Sequence, residues 1–362
     1  MRKSIKNYGK KLASMIAVAA LAFTTVVGTT GCGESSNATE TKTEEAAADK
    51  QETADTTESS GGSLTKVRYA TMTGSTTQWF GIIGQEKGIW EKYGLDVVVT
   101  EFANGIETVN TLATGQADIG FVTDFAGLNR FGNTEGDSDL KFFEEQCKTT
   151  SYSLVVDPSK ISKIEDLKGK NFLVSKGTFL EYLNAVTLEQ AGLTKDDVTE
   201  VPVEGGPSIL AAAESGQADA IWTAGDNLRR LVELGWKIIK NQSEIGVNTY
   251  VFHVASEKYL KENAETAQNF IKGYEEVNQY VRANMDEAAD IITKKFGVEK
   301  EMFVKTVEAS EVIPELTKES VDALKEIDAW AVKNGFYKAN LNITDYIYTD
   351  ALKAVYPDNV TV

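Results

Sequence analysis

The chain has 362 residues, enough for two domains or one two-lobed unit, and its 42% hydrophobic and 25% charged residues are typical of a soluble globular protein. Its formal net charge of −17 comes without a basic block, so we expect no nucleic-acid partner, because neutralising phosphates needs clustered Lys and Arg. The single histidine, His253, excludes multi-histidine zinc sites, and the two cysteines exclude Cys-rich metal or disulfide scaffolds.

The first residues have the pattern of an export signal. A basic stretch up to Lys11 is followed by the uncharged segment Leu12–Gly31, so we predict a signal peptide over residues 1–31. A transmembrane anchor is the alternative, because such a segment could just span a bilayer. The run that ends at Gly31-Cys32 resembles the lipobox of bacterial lipoproteins, although Thr29 stands where Leu is usual. We therefore expect a lipid on Cys32 that anchors the protein to the outer face of the cell membrane.

Residues 32–64 form an acidic segment with no apolar side chain larger than Ala before Leu64. Eight acidic residues stand there against two lysines. Such a segment cannot bury enough apolar surface to offset the entropy of ordering, so we predict a disordered tether.

Short β-rich runs alternate with amphipathic helical patterns after the tether, which predicts an α/β fold. We predict strands over Val67–Thr71, Asp96–Phe102 and Asn171–Val174, and a helix over Phe179–Ala191. From Ala264 onward the apolar spacing is mostly helical.

An internal repeat suggests how the folded part is organised. Leu112–Asp124 is echoed by Ala213–Asp226, each reading as a helix end, a Gly turn, an apolar strand and an acidic residue that opens a helix. Chance similarity in a common unit is the alternative, but the shared context favours two equivalent lobes. We predict lobe 1 over 65–151, lobe 2 over 152–247, and a return to lobe 1 with extra C-terminal helices over 248–362. Two crossings would make a two-stranded hinge.

Five segments in order carry a resemblance to a known family: Gly88–Val97, Thr114–Phe121, Ile164–Lys170, Val174–Thr178 and Ser215–Trp222. Together they resemble the solute-binding proteins of ABC importers for nitrate, aliphatic sulfonates, taurine and thiamine pyrimidine precursors. The resemblance covers nearly all of Thr65 to about Ala255. It implies a type II periplasmic-binding-protein fold that binds a small-molecule solute, acts as a monomer without a cofactor, and delivers the solute to an ABC permease.

The resemblance places a ligand cleft beyond the carboxyl ends of the strands, where helices begin. In relatives, hydroxyl and backbone N–H groups of the segment equivalent to 176–182 hold an oxyanion. The candidate ligand-binding residues are Gln78, Trp79, Phe80, Asp124, Phe125, Lys176, Gly177, Thr178, Glu181, Trp222, Asp226, Asn227 and Tyr250.

Three of the predicted helix starts that border the cleft carry a carboxylate, from Asp124, Glu181 and Asp226. This is unusual for a site that binds anions. One interpretation is capping, with Asp124 and Asp226 as N-caps and Thr178 with Glu181 as a capping box. The other is ligand binding, which leads to the hypothesis of a ligand with an amine or heteroaromatic donor group stacked on Trp79 or Trp222. A small anion such as nitrate or an aliphatic sulfonate is the alternative, with Lys176 pointing inward.

Two further classes of function are alternatives. The resemblance extends to thiamine-pyrimidine synthases, whose chemistry relies on a histidine and a Cys-rich iron-binding motif. Here His253 falls in a predicted hinge strand and Cys147 stands alone, so we expect no enzyme, no catalytic residue and no metal. An adhesive surface lipoprotein would not need a cleft lined by aromatic residues.

Overall fold

The computed structural model describes residues 63–134 and 139–362. The predicted signal peptide, the lipidation site Cys32 and nearly all of the tether lie outside these residues. Within the described ranges, no helix combines the length and apolarity that crossing a bilayer requires.

Eleven strands and thirteen helices alternate along the described chain. The strands are β1 (Thr65–Met72), β2 (Leu95–Phe102), β3 (Gly120–Thr123), β4 (Leu140–Thr149), β5 (Ser153–Val156), β6 (Asn171–Val174), β7 (Thr199–Pro202), β8 (Ala220–Thr223), β9 (Lys237–Asn241), β10 (Thr249–Ser256) and β11 (Ser310–Glu311). The helices are α1 (Thr76–Glu86), α2 (Ile89–Lys92), α3 (Gly105–Ala113), α4 (Asp124–Asn133), α5 (Phe179–Gln190), α6 (Gly206–Glu214), α7 (Gly225–Glu233), α8 (Glu257–Glu262), α9 (Ala264–Ala283), α10 (Met285–Phe296), α11 (Lys300–Glu308), α12 (Lys318–Lys333) and α13 (Asp350–Val355). The predicted strands and the helix after residue 179 all occur, with ends within two residues of the predictions.

The first sheet contains the strands from both ends of the described chain. It joins the parallel pair β1–β2 to the antiparallel order β11-β4-β10-β3, through a parallel bridge between Tyr69 and Ile119. Helices α9, α11 and α13 contact strands of this sheet, α10 and α12 pack on other helices of the same body, and β10 is buried along nearly its whole length. We call this body lobe 1.

The second sheet has the order β7-β6-β8-β5-β9 and uses only strands between residues 153 and 241. All residues of β5 and β8 are buried, as expected for strands covered on both faces. Helices α5, α6 and α7 pack around it, and we call this body lobe 2.

The internal repeat corresponds to one structural unit in each lobe. Helix α3 ends at Ala113, Gly115 turns the chain with a φ of 69°, and β3 leads into α4. Likewise α6 ends at Glu214, Gly216 has a φ of 73°, and β8 leads into α7. The left-handed conformation at both turns favours Gly, which explains why Gly is common to both copies.

The chain passes between the lobes twice, once after β4 and once before β10. The buried side chain of Gln242 lies between the two crossings. Its Nε2 donates to Thr249 Oγ1 at 2.7 Å, its Oε1 accepts the Tyr152 N–H at 3.2 Å, and its own N–H donates to the Tyr152 carbonyl at 2.9 Å. One amide therefore ties the outgoing segment to the returning strand.

We predict that Gln242→Leu destabilises the protein, because it leaves the half-buried Tyr152 N–H and the buried Thr249 hydroxyl without these partners. The free energy of unfolding should fall by about 2–4 kcal/mol, measured by urea denaturation. The matched control is Gln217→Leu at an exposed position, which should change it by less than about 0.5 kcal/mol. Equal effects of the two variants would contradict a structural role for the Gln242 amide.

Candidate functional site

The loops that precede helices in the two lobes meet along a seam. Asn104 Nδ2, just before α3, donates to the Glu204 carbonyl of lobe 2 at 3.3 Å. Gly177, just before α5, lies so near α4 that a Cβ on it would be 3.4 Å from Asn129 Nδ2. The two lobes are thus in direct contact at their helix starts, the place where this class of fold binds ligands.

The first turn of α1 carries two buried donors. Ser75 caps the helix and accepts the Gln78 N–H, while the Gln78 side chain folds back so that its Oε1 accepts the Gly74 N–H at 2.7 Å. Gln78 and Trp79 are 1% and 2% exposed, yet Gln78 Nε2 and Trp79 Nε1 have no hydrogen-bond partner among the described residues. Buried donors are rarely left unpaired in proteins, so this turn is suited to an acceptor supplied from outside.

Helix α1 also has no acidic residue in its first turn, unlike α4, α5 and α7. Its positive end is therefore not offset by a carboxylate of its own first turn. Phe80, the third predicted contact on this helix, has no polar side-chain atom to offer a ligand, and it is fully buried and packs on the Tyr274 ring, with centroids 5.6 Å apart. Phe80 is a core residue of lobe 1.

The capping interpretation is wrong for Asp124, because the N-cap position of α4 is held by Thr123. The Asp124 carboxylate is fully buried and accepts the Phe125 N–H at 2.6 Å and the Tyr250 N–H at 2.9 Å. It therefore joins α4 to β10, the strand that returns from lobe 2. Burial raises the pKa of Asp124 to about 7, because the two N–H groups compensate only part of the lost hydration.

Tyr250 is held by groups of lobe 1. Its hydroxyl donates to Glu319 on α12 at 3.1 Å, and the Lys148 ammonium lies 5.2 Å from the centre of its ring. Only 6% of Tyr250 is exposed. Its backbone N–H is the group that Asp124 binds, so Tyr250 contributes to the position of α4.

Phe125 takes part in an aromatic cluster that spans the lobes. Its ring stacks on Tyr182 of α5, with centroids 5.2 Å apart and 11° between the planes. The rings of Tyr182 and Trp330 meet edge to face with centroids 4.8 Å apart, and Phe336 packs on Trp330 with centroids 5.5 Å apart. Trp330 also donates from Nε1 to Glu189 of lobe 2 at 3.1 Å. Sequence reasoning missed this contact, because Trp330 and Phe336 lie far along the chain from the motif and no local pattern links them to it.

The segment before α5 forms a displaced version of the predicted capping box. Thr178 is the N-cap and its hydroxyl accepts the Leu180 N–H at 3.2 Å, but Glu181 reaches back to the Gly177 N–H at 2.6 Å. Lys176 pairs with Glu181 at 3.1 Å and with Glu200. The Lys176 charge is thus already paired with two carboxylates of lobe 2.

The structure places the β8–α7 residues differently from the prediction. Trp222 is fully buried and donates from Nε1 to Thr187 of α5 at 2.9 Å, so its ring belongs to the interior of lobe 2. The capping interpretation is also wrong for Asp226, because Ala224 holds the N-cap position of α7. The Asp226 carboxylate pairs with Arg229 and Arg230 at 2.7 Å each. Asn227 follows it in the same first turn and is half-buried.

An open cavity of about 620 Å³ lies between α7 of lobe 2 and α11 of lobe 1. It reaches Ser151 in the first crossing and Ala224 and Gly225 at the start of α7. Of the predicted site residues, none lines this cavity, although Asp226 and Asn227 are its neighbours in the chain. Sequence reasoning missed α11 because its pattern is that of an ordinary amphipathic helix.

Within the described ranges, no group of three His, Cys, Asp or Glu side chains is arranged to hold a metal ion.

We predict that Asp124→Asn changes how stability depends on pH. The folded state holds the Asp124 proton more tightly than the unfolded state, so the stabilisation from protonation is complete near pH 4 and is lost as the pH rises through about 7. The free energy of unfolding of the wild type, minus that of Asp124→Asn, should therefore fall by about 2–3 kcal/mol between pH 5 and pH 8.

The control for this experiment is Asp226→Asn at the corresponding position of lobe 2. Its side chain is 46% exposed, and an exposed ion pair contributes little, so the same difference should stay within about 1 kcal/mol across the range. A difference for Asp124→Asn that is flat, or that rises with pH, would show that the carboxylate is ionised throughout.

Comparison with known proteins agrees with this architecture. A protein of Brucella abortus provisionally named a binding protein is 30% identical over 235 residues, 60% of this chain and 67% of that one. A Bacillus subtilis protein provisionally named an aliphatic sulfonates-binding protein is 25% identical over 247 residues, 66% of this chain and 73% of that one. Among solved structures, the alkanesulfonate-binding protein SsuA from Xanthomonas axonopodis pv. citri, bound to MOPS, has a TM-score of 0.68 at 16% identity, over 80% of this chain and 99% of that one.

These similarities confirm the predicted fold class. The likeness to the solved structure concerns the fold, which is that of the periplasmic binding proteins. The family model described as NMT1/THI5 like matches residues 76–288, from the start of α1 into α10. This match covers more than half of the chain, and the chain therefore belongs to the NMT1/THI5-like family.

Proposed function

We propose that this protein captures a small organic solute between its two lobes outside the cytoplasm and delivers it unchanged to an ABC permease. Two observations carry the proposal: loops that precede helices bring the two lobes into contact, and the first turn of α1 holds two buried donors without a partner among the described residues. A solute bound there would touch both lobes, so that binding and lobe closure would be coupled.

The chemistry of the first turn of α1 favours a solute that presents hydrogen-bond acceptors. Gln78 Nε2 and Trp79 Nε1 are donors, and the first turn of α1 has no carboxylate. The three carboxylates that motivated the amine hypothesis are already engaged, Asp124 and Glu181 with backbone N–H groups and Asp226 with arginines. We therefore set the amine hypothesis aside and propose a sulfonate-bearing solute, in keeping with the names of the Bacillus and Xanthomonas proteins.

The two residues that an enzymatic alternative would need lie in the core of lobe 1. Cys147 is 3% exposed, and burial raises the pKa of its thiol to about 12, so the thiolate that acts as a nucleophile is scarce at neutral pH. His253 is fully buried, with Nδ1 2.8 Å from Glu144 and Nε2 2.9 Å from the Tyr69 hydroxyl. Both residues serve the core, which supports capture rather than turnover.

We predict that Gln78→Leu weakens binding of ethanesulfonate about tenfold or more, because a charge-assisted hydrogen bond is lost from a buried site. Isothermal titration calorimetry measures the dissociation constant. Gln85→Leu, at the other end of α1, is the matched control and should bind like the wild type, since its amide donates to the Val97 carbonyl within lobe 1. Equal affinity of Gln78→Leu and Gln85→Leu would remove Gln78 from the site, and preferential binding of ethylamine would restore the amine hypothesis.

The proposed location depends on the lipid on Cys32. We expect Cys32→Ser to shift the protein from the membrane fraction to the soluble extracytoplasmic fraction, because the chain would lack its anchor. Immunoblotting of fractionated cells measures the distribution, with Cys147→Ser as the control that keeps Cys32. Membrane association that survives Cys32→Ser would point to the uncleaved transmembrane anchor instead.

A further inference from the structure

A row of aromatic rings connects the first crossing to both lobes. Tyr152 packs on Phe179 at the start of α5 with centroids 5.7 Å apart, and Phe179 packs on Tyr182 with centroids 5.8 Å apart. Tyr182 then reaches lobe 1 through its stack on Phe125 and its edge-to-face contact with Trp330. The aromatic bridge, as we call this row, consists of Tyr152, Phe179, Tyr182, Phe125, Trp330 and Phe336.

Most of the aromatic bridge is shielded from water. Phe125 is fully buried and Phe179 is 3% exposed, while Tyr182, Trp330 and Phe336 are half-buried. Phe336 meets Phe125 edge to face, with centroids 5.1 Å apart. Stacked and edge-to-face pairs stabilise a contact beyond the burial of their area. Separating α5 from α12 would return these ring faces to water, which the hydrophobic effect opposes.

Two polar contacts accompany the rings between α5 and α12. Trp330 Nε1 donates to Glu189 near the end of α5 at 3.1 Å, and the Lys333 ammonium lies 3.7 Å from the same carboxylate. More than half of each of these two charged side chains is exposed, so their ion pair contributes little. The hydrogen bond of Trp330 is directional and fixes how its ring lies against α5.

The lobes meet differently between α7 and α11. An open cavity separates these helices, and Val232 of α7 is 46% exposed there. The Arg229 guanidinium lies 3.8 Å from Glu299, with 31% and 62% of the two side chains exposed. An exposed ion pair at this distance holds two surfaces together only weakly. Moving α7 away from α11 therefore costs less apolar contact than moving α5 away from α12.

We infer that the aromatic bridge keeps α5 joined to α12 in the free protein, so that the lobes open by separating α7 from α11. The bridge then acts as a third connection beside the two crossings, and lobe 2 rotates about it. It occurs together with the contact between Asn104 and the Glu204 carbonyl, so the two contacts are compatible. The inference concerns the motion of the lobes and holds for any class of solute.

The test measures distances between pairs of spin labels by pulsed electron double resonance, in the full-length chain carrying Cys32→Ser and without added solute. Cys147 is 3% exposed, so the labels react with the introduced thiols. The labelled positions, all exposed, are Lys195→Cys with Ala329→Cys on the α5–α12 side and Leu234→Cys with Glu308→Cys on the α7–α11 side. We expect a single narrow distance for the α5–α12 pair, and a broad distribution with a long-distance population for the α7–α11 pair.

Two variants weaken the aromatic bridge at half-buried positions. Trp330→Ala removes its largest ring and should shift the distances of the α5–α12 pair to longer values. Tyr182→Leu keeps an apolar side chain but loses the stack on Phe125, so the same shift should appear in smaller degree. The matched control is Tyr348→Ala, at a half-buried aromatic residue whose charged neighbours all belong to lobe 1. It should leave both distributions as they are in the parent chain.

Equal widths for the two pairs in the parent chain would overturn the inference. So would an α5–α12 distance that stays unchanged in both Trp330→Ala and Tyr182→Leu, with circular dichroism confirming that both variants are folded. Because no solute is added, these outcomes decide on the bridge independently of sulfonate binding. If ethanesulfonate does not bind while the α5–α12 distance stays narrow, the proposed solute falls and the bridge stands.

Discussion

The arrangement of the two lobes depends on how the chain is held where it crosses between them. Gln242 places one buried amide between the outgoing segment at Tyr152 and the returning strand at Thr249. A buried amide is costly unless its donors and acceptors are paired, so the site strongly favours a single arrangement of the two crossings. Since both lobes extend from these crossings, the helix starts of lobe 1 and lobe 2 come to face one another.

A second constraint operates where α4 meets the returning strand. The Asp124 carboxylate satisfies one N–H at the start of α4 and one on β10, and thereby fixes the helix relative to the hinge. The cost is desolvation of a carboxyl group, which shows as the pKa near 7. The same residue type at the corresponding place in lobe 2, Asp226, is only half-buried and pairs with arginines. The repeat thus conserves the backbone plan of the two lobes, while the surroundings give each carboxylate a different role.

These two carboxylates illustrate how far sequence reasoning reached into the site. It recognised the helix starts and left capping and ligand binding open, and the structure shows that the capping interpretation named the wrong residue in both lobes. It also counted Trp222 and Phe80 among ligand contacts, because an aromatic residue beside a predicted cleft has the same pattern whether it faces the ligand or the core. Trp222 turns inward because Thr187 on α5 offers a partner for its indole N–H. The contributions of Trp330 and of α11 depend on packing between segments far apart in the chain, which no local pattern encodes.

The amino-acid sequence by itself determined the class of fold, the order of its elements and the equivalence of the two lobes. Those features follow from periodicity, Gly turns and helix starts, which are properties of neighbouring residues. Only the tertiary structure decided which side chains face the seam, which carboxylates are already paired, and where a cavity opens. The reason is that burial and hydrogen-bond partners come from residues brought close by folding, such as Tyr250 for Asp124 and α7 for α11.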